Sequence, residues 1–185
     1  MVMEEEFVIL VDEQDNEIGL MQKNEAHKKA LLHRAISIFV YNTNGDLLLQ
    51  RRAFDKYHSA GLWTNSCCTH PLPNESNLNA ANRRLEQEMG IQCTLIELFT
   101  FTYKEILDSE LSEHEFDHVF IGITDDMPII NSNEVSEFKY LNYNDINIEI
   151  LKNPTQFTVW FKKIIERVNG YKENLIRIDY KIALK

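Results

Sequence analysis

The chain is 185 residues long, 44% hydrophobic and 26% charged, an ordinary soluble-domain composition with enough length to bury one core without disulfides. Its formal net charge of -10 argues against nucleic acid and an anionic membrane surface as partners. A small anionic substrate remains compatible, because a local basic pocket can sit inside an acidic exterior.

Phe7 to Val11 reads as a short apolar strand, closed by the polar turn Asp12-Glu13-Gln14-Asp15-Asn16. Ala35 to Tyr41 and Leu47 to Leu49 flank Asn42-Thr43-Asn44-Gly45-Asp46, whose Asn-Gly centre predicts a hairpin. Glu75 to Met89 predicts a helix that opens near Ser76 or Asn77 and stops at Gly90. Cys93 to Tyr103 and Phe116 to Ile123 are rich in β-branched and aromatic residues and predict strands. Asn153-Pro154 predicts the start of a last helix, with Phe157, Trp160, Phe161, Ile164, Ile165 and Val168 at helical spacing and Gly170 closing it. With no repeat or linker, the expectation is a single α+β sandwich domain over residues 1–185.

The three cysteines form no C-x-x-C pair, and Cys67 and Cys68 are adjacent, so free thiols in a reducing compartment are expected. The N-terminus is acidic where a signal peptide would be basic, and no apolar run approaches the ~20 residues of a membrane span. A cytoplasmic protein is expected.

The most informative stretch is Asn65-Ser66-Cys67-Cys68-Thr69-His70, flanked by Trp63 and Pro71. If it is extended, Cys68 and His70 share a face and Cys67 points the other way. His27 and His33 read alone as surface histidines, yet with His70 they supply three candidate metal ligands. Glu113-His114-Glu115 places two carboxylates on one face of a strand, which repel unless a cation or a shared proton lies between them. Three histidines and two glutamates suit a divalent transition metal such as zinc or manganese. Arg83, Arg84, Glu86 and Glu88 read as an exposed helix face. Lys23, Arg51, Arg52 and Lys56 are basic candidates for phosphate contact, with one of the two arginines pointing inward. Trp160 and Tyr103 are by default packing residues, although an indole face also stabilises a cation.

Together these residues resemble the type I isopentenyl-diphosphate isomerases. The matching stretches are Glu25-Ala26-His27, Leu31-Leu32-His33-Arg34-Ala35, Gln50-Arg51-Arg52-Ala53, Gly61 to Pro71, Arg83-Arg84-Leu85 with Glu88-Met89-Gly90, Glu113-His114-Glu115 and Trp160. The resemblance implies a Nudix-like α/β/α sandwich with a mixed sheet, with a core over about 7–170 and an extension over 171–185. A degenerate Nudix box is visible in Glu75, Arg83, Leu85, Glu88, Gly90 and Ile91. Thr69 stands where the box expects Gly, and Arg84 and Gln87 stand where it expects Glu.

The resemblance further implies a metal site of His27, His33, His70, Glu113 and Glu115, holding zinc or manganese. Glu88 would help hold a magnesium ion bridging to a diphosphate. Cys68 and Glu115 would be an acid–base pair, with Tyr103 beside Glu115 and Trp160 facing the cation. Lys23, Arg52, Lys56 and Thr69 would bind the substrate. The implied reaction converts isopentenyl diphosphate to dimethylallyl diphosphate by a 1,3-proton shift, in isoprenoid biosynthesis, by a monomer or weak homodimer. Two rivals stand beside it: a Nudix pyrophosphohydrolase with an altered box, and a metal-stabilised binding module without catalysis.

Overall fold

A computed structural model describes residues 6–107 and 111–183. Its strands are β1 (Phe7–Val11), β2 (Glu17–Gln22), β3 (His33–Tyr41), β4 (Leu47–Arg52), β5 (Trp63–Thr64), β6 (Cys67–Thr69), β7 (Leu95–Ile106), β8 (Ser112–Ile123) and β9 (Val135–Leu141). The helices are α1 (Lys23–Lys28), α2 (Asn77–Met89), α3 (Tyr143–Lys152) and α4 (Val159–Ala183), with a 3-10 turn at Pro154–Gln156. No helix among the described residues is long and apolar enough to cross a membrane.

The sheet is mixed. Its centre is the parallel pair β3 and β8, in register from His33↔Glu115 to Tyr41↔Ile123. β7 runs antiparallel to β8, and β6 runs antiparallel along the other edge of β3. β4 pairs with β9 and β5. The expected Asn-Gly turn forms, with Asn42 N donating to Asp46 O and Gly45 in the left-handed region at φ 84°. The two strands it joins pair only at Tyr41↔Leu47 and then diverge, because β6 occupies that edge of β3.

Side chains alternate along β3 and β8, so each strand feeds two cores. Ile36, Ile38, Val40 and Phe120 pack with Cys67 against Ala80, Ala81, Leu85 and Met89 of α2. Phe39, Tyr41, Val119 and Ile121 pack with Trp160, Phe161, Ile164 and Ile165 of α4. The result is the expected α/β/α sandwich.

α2 opens on Ser76, whose Oγ accepts from Asn79 N, and closes on left-handed Gly90, as the sequence predicts. The last helix differs from expectation at both ends. Asn153-Pro154 starts only the 3-10 turn, and Phe157 is pulled into extended backbone beside Trp63 before α4 begins at Val159. Gly170 does not stop the helix. Tyr171 stacks on Phe99 at 5.2 Å and Lys172 Nζ donates to Gly45 O at 2.7 Å, so packing carries α4 past a residue that costs about 1 kcal/mol in a helix interior.

Gly90 is different, because its φ of 65° and its crowding act together. A Cβ there would lie 2.9 Å from both Cβ and O of Ile129. Gly90→Ala is therefore expected to destabilise the fold by about 1–3 kcal/mol, read from the urea midpoint.

Candidate active site

The register of β3 against β8 sets His33 beside Glu115. α1 brings His27 to the same place, and the end of β6 brings His70. One donor atom from each of His27, His33, His70 and Glu115 lies within 4.8 Å of the others. His27 Nε2 is 3.3 Å from His33 Nε2, His70 Nε2 is 3.1 Å from Glu115 Oε1, and His33 Nε2 is 3.7 Å from that same oxygen. A divalent metal with bonds of about 2.1 Å separates adjacent ligand atoms by about 3.0–3.4 Å, so this donor set fits one.

The protonation of the cluster fits as well. His33 Nδ1 lies 2.8 Å from Leu31 O and, as its donor, leaves Nε2 with a lone pair facing inward. Burial, reinforced by its neighbouring histidines, lowers the pKa of His27 to about 3. Burial outweighs the pull of Glu115 on His70 and lowers its pKa to about 4. Both rings are neutral at neutral pH, which is the ligating form.

Glu113, expected among the metal ligands, faces the same cavity but lies beside the four-residue cluster. Its Oε2 is 2.9 Å from Tyr103 Oη, and its Oε1 is 3.8 Å from His58 Nδ1. Tyr103 also reaches Glu115 Oε2 at 2.6 Å, as its position directly opposite Glu115 on β7 allows. One phenol hydrogen cannot serve two carboxylates. Burial and the Glu115 charge push the Glu113 pKa well above its usual range. Burial pushes Glu115 the same way, but the close imidazoles of His70 and His33, at 3.1 and 3.7 Å from its carboxylate, prevail and hold it well below. The pair thus holds its proton on Glu113. His114 faces away, toward Ala30 O.

Cys68 lines the cavity while Cys67 is buried against α2, so the two thiols divide as an extended segment requires. The Cys68 thiol donates to Asn65 Oδ1 at 3.2 Å and lies 3.8 Å from Ser37 Oγ. Asn65 cannot turn away, because its Nδ2 donates to Ile38 O and Cys67 O. Burial, followed by the Asp117 charge, pushes the Cys68 pKa up to about 12, so the thiol rests protonated. Ser37 in turn donates to Asp117 Oδ2 at 2.7 Å.

The opposite end of the cavity is cationic. Lys23 pairs with Glu6 at 2.9 Å, Lys56 pairs with Glu134, and Arg84 pairs with Glu88 and, at 3.2 Å, with Glu134. Arg51 faces out to Glu137 while Arg52 faces in, as the strand alternation predicts. Arg52 Nη2 donates to His58 O at 3.3 Å, and its buried Nε has no hydrogen-bond partner among the described residues. The Arg52 guanidinium sits 5.6 Å from the Trp160 ring, which belongs to the first turn of α4. Thr69 lies on the same wall.

The box helix α2 divides its charges. Glu75 accepts both 2.7 Å bonds from Arg83 in a structural pair, Gln87 stays at the surface, and Glu88 is buried beneath Gln50 and Arg84. The expectation of an exposed charged face therefore holds for Glu86 but not for Arg83 and Arg84, which are half-buried, or for Glu88, which is buried. Sequence reasoning also passed over Tyr57, His58, Asn65, Ser37, Asp117 and Glu134. Asp117 continues the period of Glu113 and Glu115, and Ser37 continues that of His33 on β3; the others are brought in by loop geometry. The enclosed cavity measures about 190 Å³, below the roughly 300 Å³ at which pockets for drug-sized ligands begin. That suits a substrate smaller than a nucleotide.

These features define the class. A family model described as the NUDIX domain matches residues 31–167. DR0079 from Deinococcus radiodurans shares the fold with a TM-score of 0.66 at 22% identity, covering 80% of this chain and 90% of that one. The MutT protein of Methanosarcina mazei Go1 does so with a TM-score of 0.64 at 18% identity, covering 76% and 95%. Sequence similarity is more specific. The chain is 50% identical over 164 residues to the isopentenyl-diphosphate Delta-isomerase of Pectobacterium atrosepticum, covering 89% of this chain and 92% of that protein. It is 53% identical over 161 residues to isopentenyl-diphosphate Delta-isomerase 2 of Photorhabdus laumondii, covering 87% and 91%. The chain belongs to the type I isopentenyl-diphosphate Delta-isomerases of the NUDIX superfamily.

The metal cluster generates its own prediction. Wild-type protein is expected to take up one Zn2+ per chain in a competition titration with a chromophoric chelator. His33→Ala is expected to weaken that binding by more than roughly 100-fold, beyond what losing a supporting hydrogen bond causes.

Proposed function

We propose that this cavity converts isopentenyl diphosphate to dimethylallyl diphosphate by a 1,3-proton shift between Cys68 and Glu115. The observation that carries the reading is the convergence of Cys68, the Tyr103–Glu115 pair and Trp160 on one small cavity whose other end is cationic. An unactivated alkene is a poor base, so its protonation needs a positioned acid and a site closed to water. The resulting tertiary carbocation would otherwise add water.

Arg52, Lys23 and Lys56 bind the diphosphate, and the unpartnered Nε of Arg52 gives that end a donor with no internal acceptor to displace. Thr69 adds a polar contact on the same wall. Anchoring the diphosphate supplies the binding energy that holds a five-carbon tail against the reacting groups. Trp160 presents its ring to the developing cation, a contact worth about 2 kcal/mol when desolvated. Cys68 and Glu115 move the two protons, one adding to the alkene terminus and the other leaving the carbon next to the diphosphate-bearing one. Tyr103 holds Glu115 by its 2.6 Å hydrogen bond and links it to the proton on Glu113.

His27, His33, His70 and Glu115, with Glu113 beside them, would hold zinc or manganese, because three imidazoles favour a transition metal over magnesium. Such an ion, when bound, makes protonated Glu115 a stronger acid. Glu88 would serve a magnesium ion at the diphosphate, where hard oxygen ligands suit it. All these residues come from one chain, so a monomer or weak homodimer suffices.

The decisive assay incubates the metal-loaded protein with isopentenyl diphosphate and Mg2+ in deuterated water. Dimethylallyl diphosphate carrying deuterium is expected; the absence of both isomer and exchange would overturn the reading. Cys68→Ala should lower kcat by at least roughly 1,000-fold, whereas Cys67→Ala, on the α2 side, should stay within roughly tenfold of wild type. Equal losses in the two variants would contradict the division of the thiols.

Arg52→Lys keeps the charge but removes the fork. It is expected to raise KM for isopentenyl diphosphate roughly tenfold with a smaller change in kcat.

A further inference from the structure

The loop between β4 and β5 reaches both ends of the cavity. Lys56 faces the cationic end, and its neighbour Tyr57 turns toward the histidines. Tyr57 Oη lies 2.5 Å from His27 Nδ1, and the two rings stack with centroids 5.9 Å apart at 13°. This hydroxyl is the one hydrogen-bond partner of His27 Nδ1 among the described residues.

The three imidazoles are not supported equally. His33 is locked in a nine-residue parallel ladder and has Leu31 O at its Nδ1. His70 directly follows β6 and contacts Glu115. His27 belongs to α1, which has six residues and no side-chain cap at its N-terminus. So short a helix has little stability of its own, and the orientation of a ring on it must come from outside.

We propose that Tyr57 is a positioning residue for the metal centre: its hydroxyl accepts the Nδ1 hydrogen of His27 and so aims the Nε2 lone pair at His33, His70 and Glu115. The inference rests on the reading of that cluster as a metal site. A neutral imidazole carries one ring hydrogen, so placing it on Nδ1 is the same event as freeing Nε2. Lys23, one helical turn before His27, closes over the other part of the Tyr57 ring at 5.7 Å, so α1 and the loop hold each other. Supporting hydrogen bonds of this kind typically alter metal affinity by 10–100-fold.

The test compares wild type, Tyr57→Phe, Tyr57→Gln and His33→Ala as metal-free full-length proteins. Each is titrated with Zn2+ against a chelator and with Co2+ by visible absorption. Tyr57→Phe is expected to bind Zn2+ roughly 10–100-fold more weakly, to shift the Co2+ bands, and to melt at the wild-type temperature without metal. Tyr57→Gln, whose carboxamide oxygen can accept from Nδ1, should recover part of the affinity. Wild-type affinity and Co2+ bands in Tyr57→Phe would overturn the role of Tyr57 and leave the metal centre standing. The same holds for a variant that melts lower by an equal amount with and without metal. A wild-type chain that binds no metal, or a His33→Ala chain that binds as tightly as wild type, would remove the metal reading itself.

Discussion

The parallel ladder between β3 and β8 is the constraint on which the site depends. Because side chains alternate along a strand, its odd-numbered residues all face α4 and the cavity. The start of that face is polar, with His33, Ser37, Glu113, Glu115 and Asp117; its end is apolar, with Phe39, Tyr41, Val119 and Ile121. A slip of one residue would send every one of these side chains to the opposite face. The apolar half fixes the register by packing on α4, and the polar half inherits its geometry. Helices cover both faces, so these polar groups are buried and need partners. Tyr103 and His70 supply several of them.

Burial then sets the charges. Desolvation keeps His27 and His70 neutral and the Cys68 thiol protonated, because each charged form would lose its hydration. Glu115 departs from this pattern because two histidines face it at close range. Glu113, buried beside the Glu115 charge and with His58 no nearer than 3.8 Å, takes the proton instead. Two carboxyls two residues apart are thereby driven to opposite states, the arrangement that distinguishes an acid from a base within one site. At the far end Lys23, Lys56 and Arg84 each carry a carboxylate partner, which keeps long side chains in place. Arg52 donates to a backbone carbonyl instead, so no carboxylate among the described residues lies within ion-pair distance of it.

Much of this was legible in the residues themselves. The opposite facing of Cys67 and Cys68, the shared face of Glu113 and Glu115, and the inward turn of Arg52 all follow from the two-residue period of a strand. The ends of α2 follow from Ser76 and Gly90. What escaped the sequence depends on contacts between distant segments. Gly170 reads as a stop, yet Phe99 and Gly45, far away in the chain, hold the helix beyond it. Tyr57 and His58 read as an ordinary loop until the fold sets them against His27 and Glu113. The short strands β5 and β6 have too few residues to show a period, and only pairing with β4 and β3 makes them strands.

The box helix shows how one scaffold separates hydrolysis from isomerisation. Its pattern survives where it builds structure: Glu75 grips Arg83, Leu85 fills the core, and Gly90 turns the chain. It fails where a hydrolase would gather metal ions around an attacking water. Arg84 takes a carboxylate position beside the one remaining acid, Glu88, and Gln87 faces out. On the proposed carbocation route those losses are intelligible, because an activated water is the reagent that would destroy the cation. The acidic pair Glu113 and Glu115 instead sits on β8, joined by the Tyr103 hydroxyl, where under the proposed mechanism it moves protons without delivering water.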